Sequence, residues 1–177
     1  MSINRSSLLN KKVKVVNADA FAWIRENKDQ FDAVVIDFPD PSGFSVGKLY
    51  STVFYSLLKK SMKPDAIAVI QSTSPYVAPK SFWCVDTTLQ SVGFHTRPYH
   101  NFVPSFGEWG YIMAYNNPER GWFMSMPDSL KYLNPETNRQ LFVFPEDMKT
   151  HARLEINKLN NQALVNYFEE EWGKYLE

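Results

Sequence analysis

Hydrophobic and polar positions along this chain switch repeatedly between two periods. Val13, Val15 and Val16 mark a short strand over Lys12 to Val16, and Asp19 stands as the N-cap of a helix that carries Phe21, Trp23 and Ile24. Between Phe31 and Phe38 the run Ala33, Val34, Val35, Ile36 is unbroken and bounded by Asp32 and Asp37, the pattern of a strand buried on both faces of a parallel sheet. A Pro/Gly/Ser loop from Pro39 to Gly47 follows. Leu49, Val53, Phe54, Leu57, Leu58 and Met62 then share one helical face, with Lys59 and Lys60 suited to its carboxyl end. Ala66 to Gln71 predicts a further buried strand. Pro79 to Val92 predicts a helix with Phe82, Val85, Leu89 and Val92 inward and Gly93 as its stop. His95 to Phe102 and Gly110 to Tyr115 predict two strands joined through Pro104, Ser105 and Gly107, an antiparallel edge on a mostly parallel sheet. The class is α/β.

Beyond Tyr115 the periodicity weakens. Asn116 to Met148 is rich in Pro and Asn, with isolated apolar clusters at Trp122 to Met126 and Leu141 to Phe144 that predict only short pieces. From His151 to Leu176 the positions Leu154, Leu159, Ala163, Leu164, Phe168, Trp172 and Tyr175 predict one long amphipathic helix, packed on the sheet or on a partner. The chain therefore divides into an alternating α/β part over 1–116 and an extension over 117–177.

Composition narrows the ligand more than the fold. The 177 residues hold 19 basic and 19 acidic side chains, which points to a small molecule rather than a nucleic acid or a membrane surface. The single cysteine, Cys84, lies among Phe82, Trp83 and Val85 and reads as a core residue of a protein in a reducing compartment. With no apolar run near the ~18 residues of a membrane span, the expected location is the cytoplasm. His95, His100 and His151 lack metal-ligand spacing, and Ser72, Ser74 and Ser105 lack a nucleophile elbow, so neither a metal site nor a serine hydrolase is expected.

Chemistry concentrates after the most apolar strand. Ligands of open α/β sheets bind beyond the carboxyl ends of the strands, where this chain places Asp37, Pro39, Asp40 and Pro41. Two carboxylates on one rim repel each other, and partial burial raises the pKa of one and prepares it as a base. Spacing alone favours ordinary turn and capping aspartates.

The run FDAVVIDFPDPSG, followed by Leu49, Tyr50, Phe54 and Tyr55, resembles the signature of the polyamine aminopropyltransferase (spermidine/spermine synthase) family: an apolar strand, Asp-x-x-Asp-Pro, a loop, then an aromatic-rich helix. AIAVIQ ends in Gln71 where that family carries an active-site glutamine, and VNADAF puts Asp19 and Ala20 where it holds the adenine amino group. QSTSPYVAPKSFWCV and NFVPSFGEWGYIMA look like the bacterial branch whose longer members carry membrane helices ahead of the synthase domain.

The resemblance implies transfer of an aminopropyl group from decarboxylated S-adenosylmethionine, a co-substrate with no tightly bound cofactor, to putrescine or a related polyamine. It implies Asp37 as base, Asp40 and Gln71 as holders of the amine, Pro41 and Leu49 beside the adenine, and Phe106, Trp109 and Glu108 along the polyamine, with Glu108 for its second ammonium. Phe106 stands where the family commonly has a tyrosine. The family's Gly-rich nucleotide loop and the central strands that carry it are missing from these residues. The resemblance thus implies an incomplete Rossmann-like sheet, completed by self-association or by a separate amino-terminal half. A non-catalytic remnant and an S-adenosylmethionine-dependent methyltransferase are the competing expectations.

Overall fold

The computed structural model describes residues 6–119, 126–127 and 129–176. In chain order the elements are α1 (Ala20–Glu26), β1 (Phe31–Ile36), α2 (Phe44–Gly47), α3 (Thr52–Lys60), β2 (Met62–Gln71), α4 (Pro79–Ser91), β3 (His95–Val103), β4 (Gly107–Tyr115), α5 (Pro135–Gln140) and α6 (Ala163–Leu176). The sheet runs β1-β2-β4-β3, with β1 parallel to β2 and both pairings of β4 antiparallel. This is a mixed α/β sheet with the expected antiparallel edge and a carboxyl-terminal helix.

The core forms where the two periods meet. Ala66, Ala68 and Ile70 alternate on the buried face of β2, and Ile112 and Ala114 continue that face on β4. Phe54, Tyr55 and Leu58 of α3 and Phe82, Val85 and Leu89 of α4 close over them. Met62 opens β2 instead of ending α3, and Leu49 lies in the turn before α3. Cys84 is buried, its thiol donates to the Glu155 carbonyl at 3.3 Å, and burial pushes its pKa up to about 12, so it is an inert core side chain.

Two expected elements form differently. Lys12–Val16 forms no strand: Lys12 lies in a turn, Val13 to Val16 pair with no strand among the described residues, and Val15 is 65% exposed. A strand pattern needs a ladder partner to become a strand, and none lies beside these residues. For the same reason β1 is not buried on both faces: it is the sheet edge, with Val35 78% exposed.

The long helix is also shorter than its apolar spacing predicts, for only residues 163–176 are helical. Asn157 stops it. The residue is 1% exposed, and its backbone N–H donates to Thr88 Oγ1 (3.0 Å) while its carbonyl accepts from Thr52 N (3.0 Å). Its side chain donates to the Gly47 carbonyl (3.1 Å) and accepts from Leu164 N (3.3 Å). These long-range bonds hold an extended strap against α4 and replace helical i to i−4 bonds. Leu154 and Leu159 therefore lie outside the helix. The apolar cluster Trp122 to Met126 falls, except for Met126, outside the described residues.

α6 is fixed to α4 by a carboxylate. α4 begins at Ala78 and Pro79 with no local side-chain cap. Glu171 supplies one from α6, accepting from Lys80 N (2.8 Å), Ser81 N (3.0 Å) and Ser81 Oγ (2.9 Å). Lys80 Nζ also meets Glu170 at 3.0 Å.

Candidate active site

β1 and β2 run parallel, so their carboxyl ends, and the residues that follow, share one rim. There Asp37, Phe38, Pro39, Asp40 and Gln71 line an open cleft of about 640 Å³, whose other wall is Val103, Ser105, Phe106, Trp109, Tyr111 and Trp172. Strand alternation on β4 explains which of its residues arrive: Trp109 and Tyr111 face the cleft. Glu108, one step before Trp109, points to the opposite side, where it pairs with His100 Nδ1. Its expected place beside a second ammonium is therefore corrected.

The rim is built by hydrogen bonds from aromatic neighbours. Tyr50 is 1% exposed, and its hydroxyl donates toward the carbonyls of Phe38 (3.3 Å) and Pro39 (3.2 Å), which pins the loop between the two aspartates. Burial first, then the charges of Asp40 and Asp37, hold the Tyr50 phenol far above its ordinary pKa, so it remains a donor. The Gln71 amide takes the orientation with the shorter contacts: its carbonyl accepts from Trp109 Nε1 at 2.8 Å and its NH₂ donates to the Phe38 carbonyl at 3.2 Å. Turned over, it would reach Asp40 Oδ1 at 3.4 Å and accept from Tyr50 at 3.3 Å.

Asp40 is the carboxyl whose pKa rises, and the cause is burial. Thr73 sits just past β2 with φ of 61°, a left-handed conformation that costs a β-branched residue on the order of 1–3 kcal/mol. It is held there from two sides. Its carbonyl accepts from Gly110 N at 2.7 Å, and its Oγ1 accepts from Trp172 Nε1 at 3.2 Å. Gly110 itself is required by close approach, because a Cβ there would lie 2.4 Å from Phe82 Cε2 and 2.8 Å from the Thr73 carbonyl.

The cleft thus gathers Asp37, Asp40, Gln71, Phe106 and Trp109, and leaves the other expected residues outside it. Asp19 is the N-cap of α1, accepting from Ala22 N at 2.8 Å, and its other oxygen meets Lys48 Nζ at 3.2 Å, beside Leu49 in the chain. Ala20 lines a separate cavity of about 460 Å³ with Lys14, Val16 and Trp23, on the side of the open sheet edge. Pro41 is buried behind the rim. Tyr111 and Trp172 line the cleft, Tyr50 and Thr73 are buried behind it, and pattern reading gave none of the four a role. Tyr50 carried a signal, since it follows Leu49 within the aromatic-rich run, whereas Trp172 reads only as an inward position of a distant helix.

An α/β sheet with its ligand cleft beyond the carboxyl ends of two parallel strands defines a protein of the methyltransferase-like fold class. A spermidine synthase crystallised in complex with the transition-state analogue AdoDATO shares that fold, at a TM-score of 0.57 and 22% identity over 95% of this chain and 53% of that one. The chain belongs to the family defined by the spermine/spermidine synthase domain, which matches residues 1–123. It is similar to the polyamine aminopropyltransferase of Leptospira interrogans, 47% identical over 175 residues, 99% of this chain and 35% of that protein. It is equally similar to polyamine aminopropyltransferase 2 of Ralstonia nicotianae, 47% identical over 97% of this chain and 34% of that one. The chain spans about a third of the length of the curated relatives it matches.

Proposed function

We propose that this chain carries the amine-binding and proton-handling side of a polyamine aminopropyltransferase. The observation behind the reading is the pairing of Asp37 and Asp40 on one rim of a cleft whose facing wall is aromatic. Carboxylates suit an ammonium, and flat rings suit the methylenes between two ammonium groups. The donor is decarboxylated S-adenosylmethionine. The free amine attacks the aminopropyl carbon attached to the sulfonium, a C–N bond forms, the C–S bond breaks, and its electron pair stays on sulfur as methylthioadenosine.

An alkyl ammonium has a pKa of about 10, so it must lose a proton to attack. Asp37, open to the cleft, takes that proton and passes it to water. Asp40 holds the amine, since a half-buried carboxylate gains most from a cation that offsets its desolvation. Gln71, fixed by Trp109, orients the loop carbonyls around them. Asp19, Ala20, Pro41 and Leu49 stand on the adenine side in this reading. The bare edge of β1 takes further strands, from an amino-terminal half or from a second copy, that complete the nucleotide site. Among the described residues no helix is long and apolar enough to cross a membrane, in keeping with a cytoplasmic location for this part.

The test is methylthioadenosine release from decarboxylated S-adenosylmethionine and putrescine, in the assembly that turns over the wild-type sequence. Asp37→Asn should lower kcat by about 10²–10⁴-fold. Because the Asp40 pKa is raised, amine binding should weaken as pH falls through a value above the ordinary carboxylate range. Unchanged turnover in Asp37→Asn would remove the proposal.

A further inference from the structure

The cleft offers two carboxylates, yet a diamine held by Asp37 and Asp40 at one nitrogen leaves a second cation and a methylene chain to be met. Glu108, the nearest further acid on β4, is turned away and engaged by His100. What faces the amine instead is a set of rings. Phe106 and Trp109 lie 5.3 Å apart by centroid, and Trp172 continues the wall at 6.3 Å from Trp109.

Trp172 differs from the other two in how it is held. Phe168 and Tyr175 flank its ring at 5.8 and 5.7 Å, and the neighbouring Glu171 anchors its helix to the start of α4. Its indole N–H donates to Thr73 Oγ1, and its ring lines the same cleft as Asp40. The ring therefore stands beside the amine-holding carboxylate and cannot swing away without releasing Thr73. A rigid wall discriminates by size where a mobile one does not.

From this geometry we propose that Trp172 is a specificity-determining residue of the acceptor subsite, setting the length of amine that fits between Asp40 and the aromatic wall. The inference rests on the aminopropyl-transfer reading. It makes the helix of the carboxyl-terminal extension a part of substrate selection and gives the cation–π face that replaces a third carboxylate.

The test compares a short α,ω-diamine, putrescine, with the longer spermidine as acceptors, at saturating decarboxylated S-adenosylmethionine, for wild type, Trp172→Phe and Trp172→Leu. Trp172→Leu, which fills volume without a ring face, should raise KM for putrescine about tenfold with a far smaller change in kcat. It should also lower the putrescine-to-spermidine ratio of kcat/KM about tenfold. Trp172→Phe keeps a ring but loses the bond to Thr73 that holds it, and should fall between wild type and Trp172→Leu in that ratio. Thermal melts show whether each variant is folded. A ratio unchanged in Trp172→Leu, with both acceptors slowed alike, overturns the inference and leaves the transferase reading standing. Wild-type sequence that turns over neither amine once assembled with the segment that completes the nucleotide site removes the reading and the inference together.

Discussion

The two edges of the sheet are finished in opposite ways. On the β3 side the chain covers its own edge: His100 N donates to the Leu141 carbonyl at 2.9 Å, His100 Nε2 meets the Val143 carbonyl at 2.7 Å, and Arg97 lies 3.9 Å over the Phe142 ring. Phe144 then packs on Phe82 and Trp83 at 5.6 and 5.1 Å. On the β1 side no strand among the described residues pairs with the outer edge, Val35 is bare, and Val13, Val15 and Val16 stand exposed nearby. β1 is the more apolar of the two strands, since β3 carries His95, Thr96, Arg97, His100 and Asn101, and yet β1 is the edge left uncovered. What separates them is a covering segment, and the cleft lies between a finished wall and an unfinished one.

Three substitutions break or sharpen that contrast. The largest effect belongs to Phe82→Ala on the covered side, where the ring touches Trp83, Phe144 and the Gly110 backbone. We expect a loss of about 3–5 kcal/mol in urea unfolding. Asn157→Ala should cost about 2–4 kcal/mol by the same measurement, because it strips partners from the Gly47 carbonyl and Leu164 N in a dry setting. The smallest effect is expected from Val35→Lys, within about 0.5 kcal/mol for the chain alone. A large loss at Val35 in the isolated chain would mean that its edge is already covered, and the contrast would fall.

Legibility followed the range of the forces involved. β2, α3, α4 and the β3–β4 hairpin were readable because each matches its own period and finds its neighbour within a few tens of residues. Lys12–Val16 carries an equally good strand pattern and fails for want of a partner, which no local pattern reveals. Leu154 and Leu159 keep helical spacing, but the buried bonds of Asn157 outcompete the helix. In the site, the Asp37, Asp40, Gln71 set was readable because parallel strands bring their ends together. Glu108 was misplaced by a single step of β alternation. Trp172 reaches Thr73 across 99 positions of sequence, a contact that only tertiary packing creates.

That separation has a temporal side. The carboxylate that caps α4 is made 90 residues after Ser81, so during synthesis the helix emerges from the ribosome with its first N–H groups unanswered. Closing so long a loop is entropically slow relative to local helix or hairpin formation. The wall at Trp172 is therefore among the last parts of the cleft to arrive. A nascent chain holds its acidic rim well before it holds the surface that selects what may bind there.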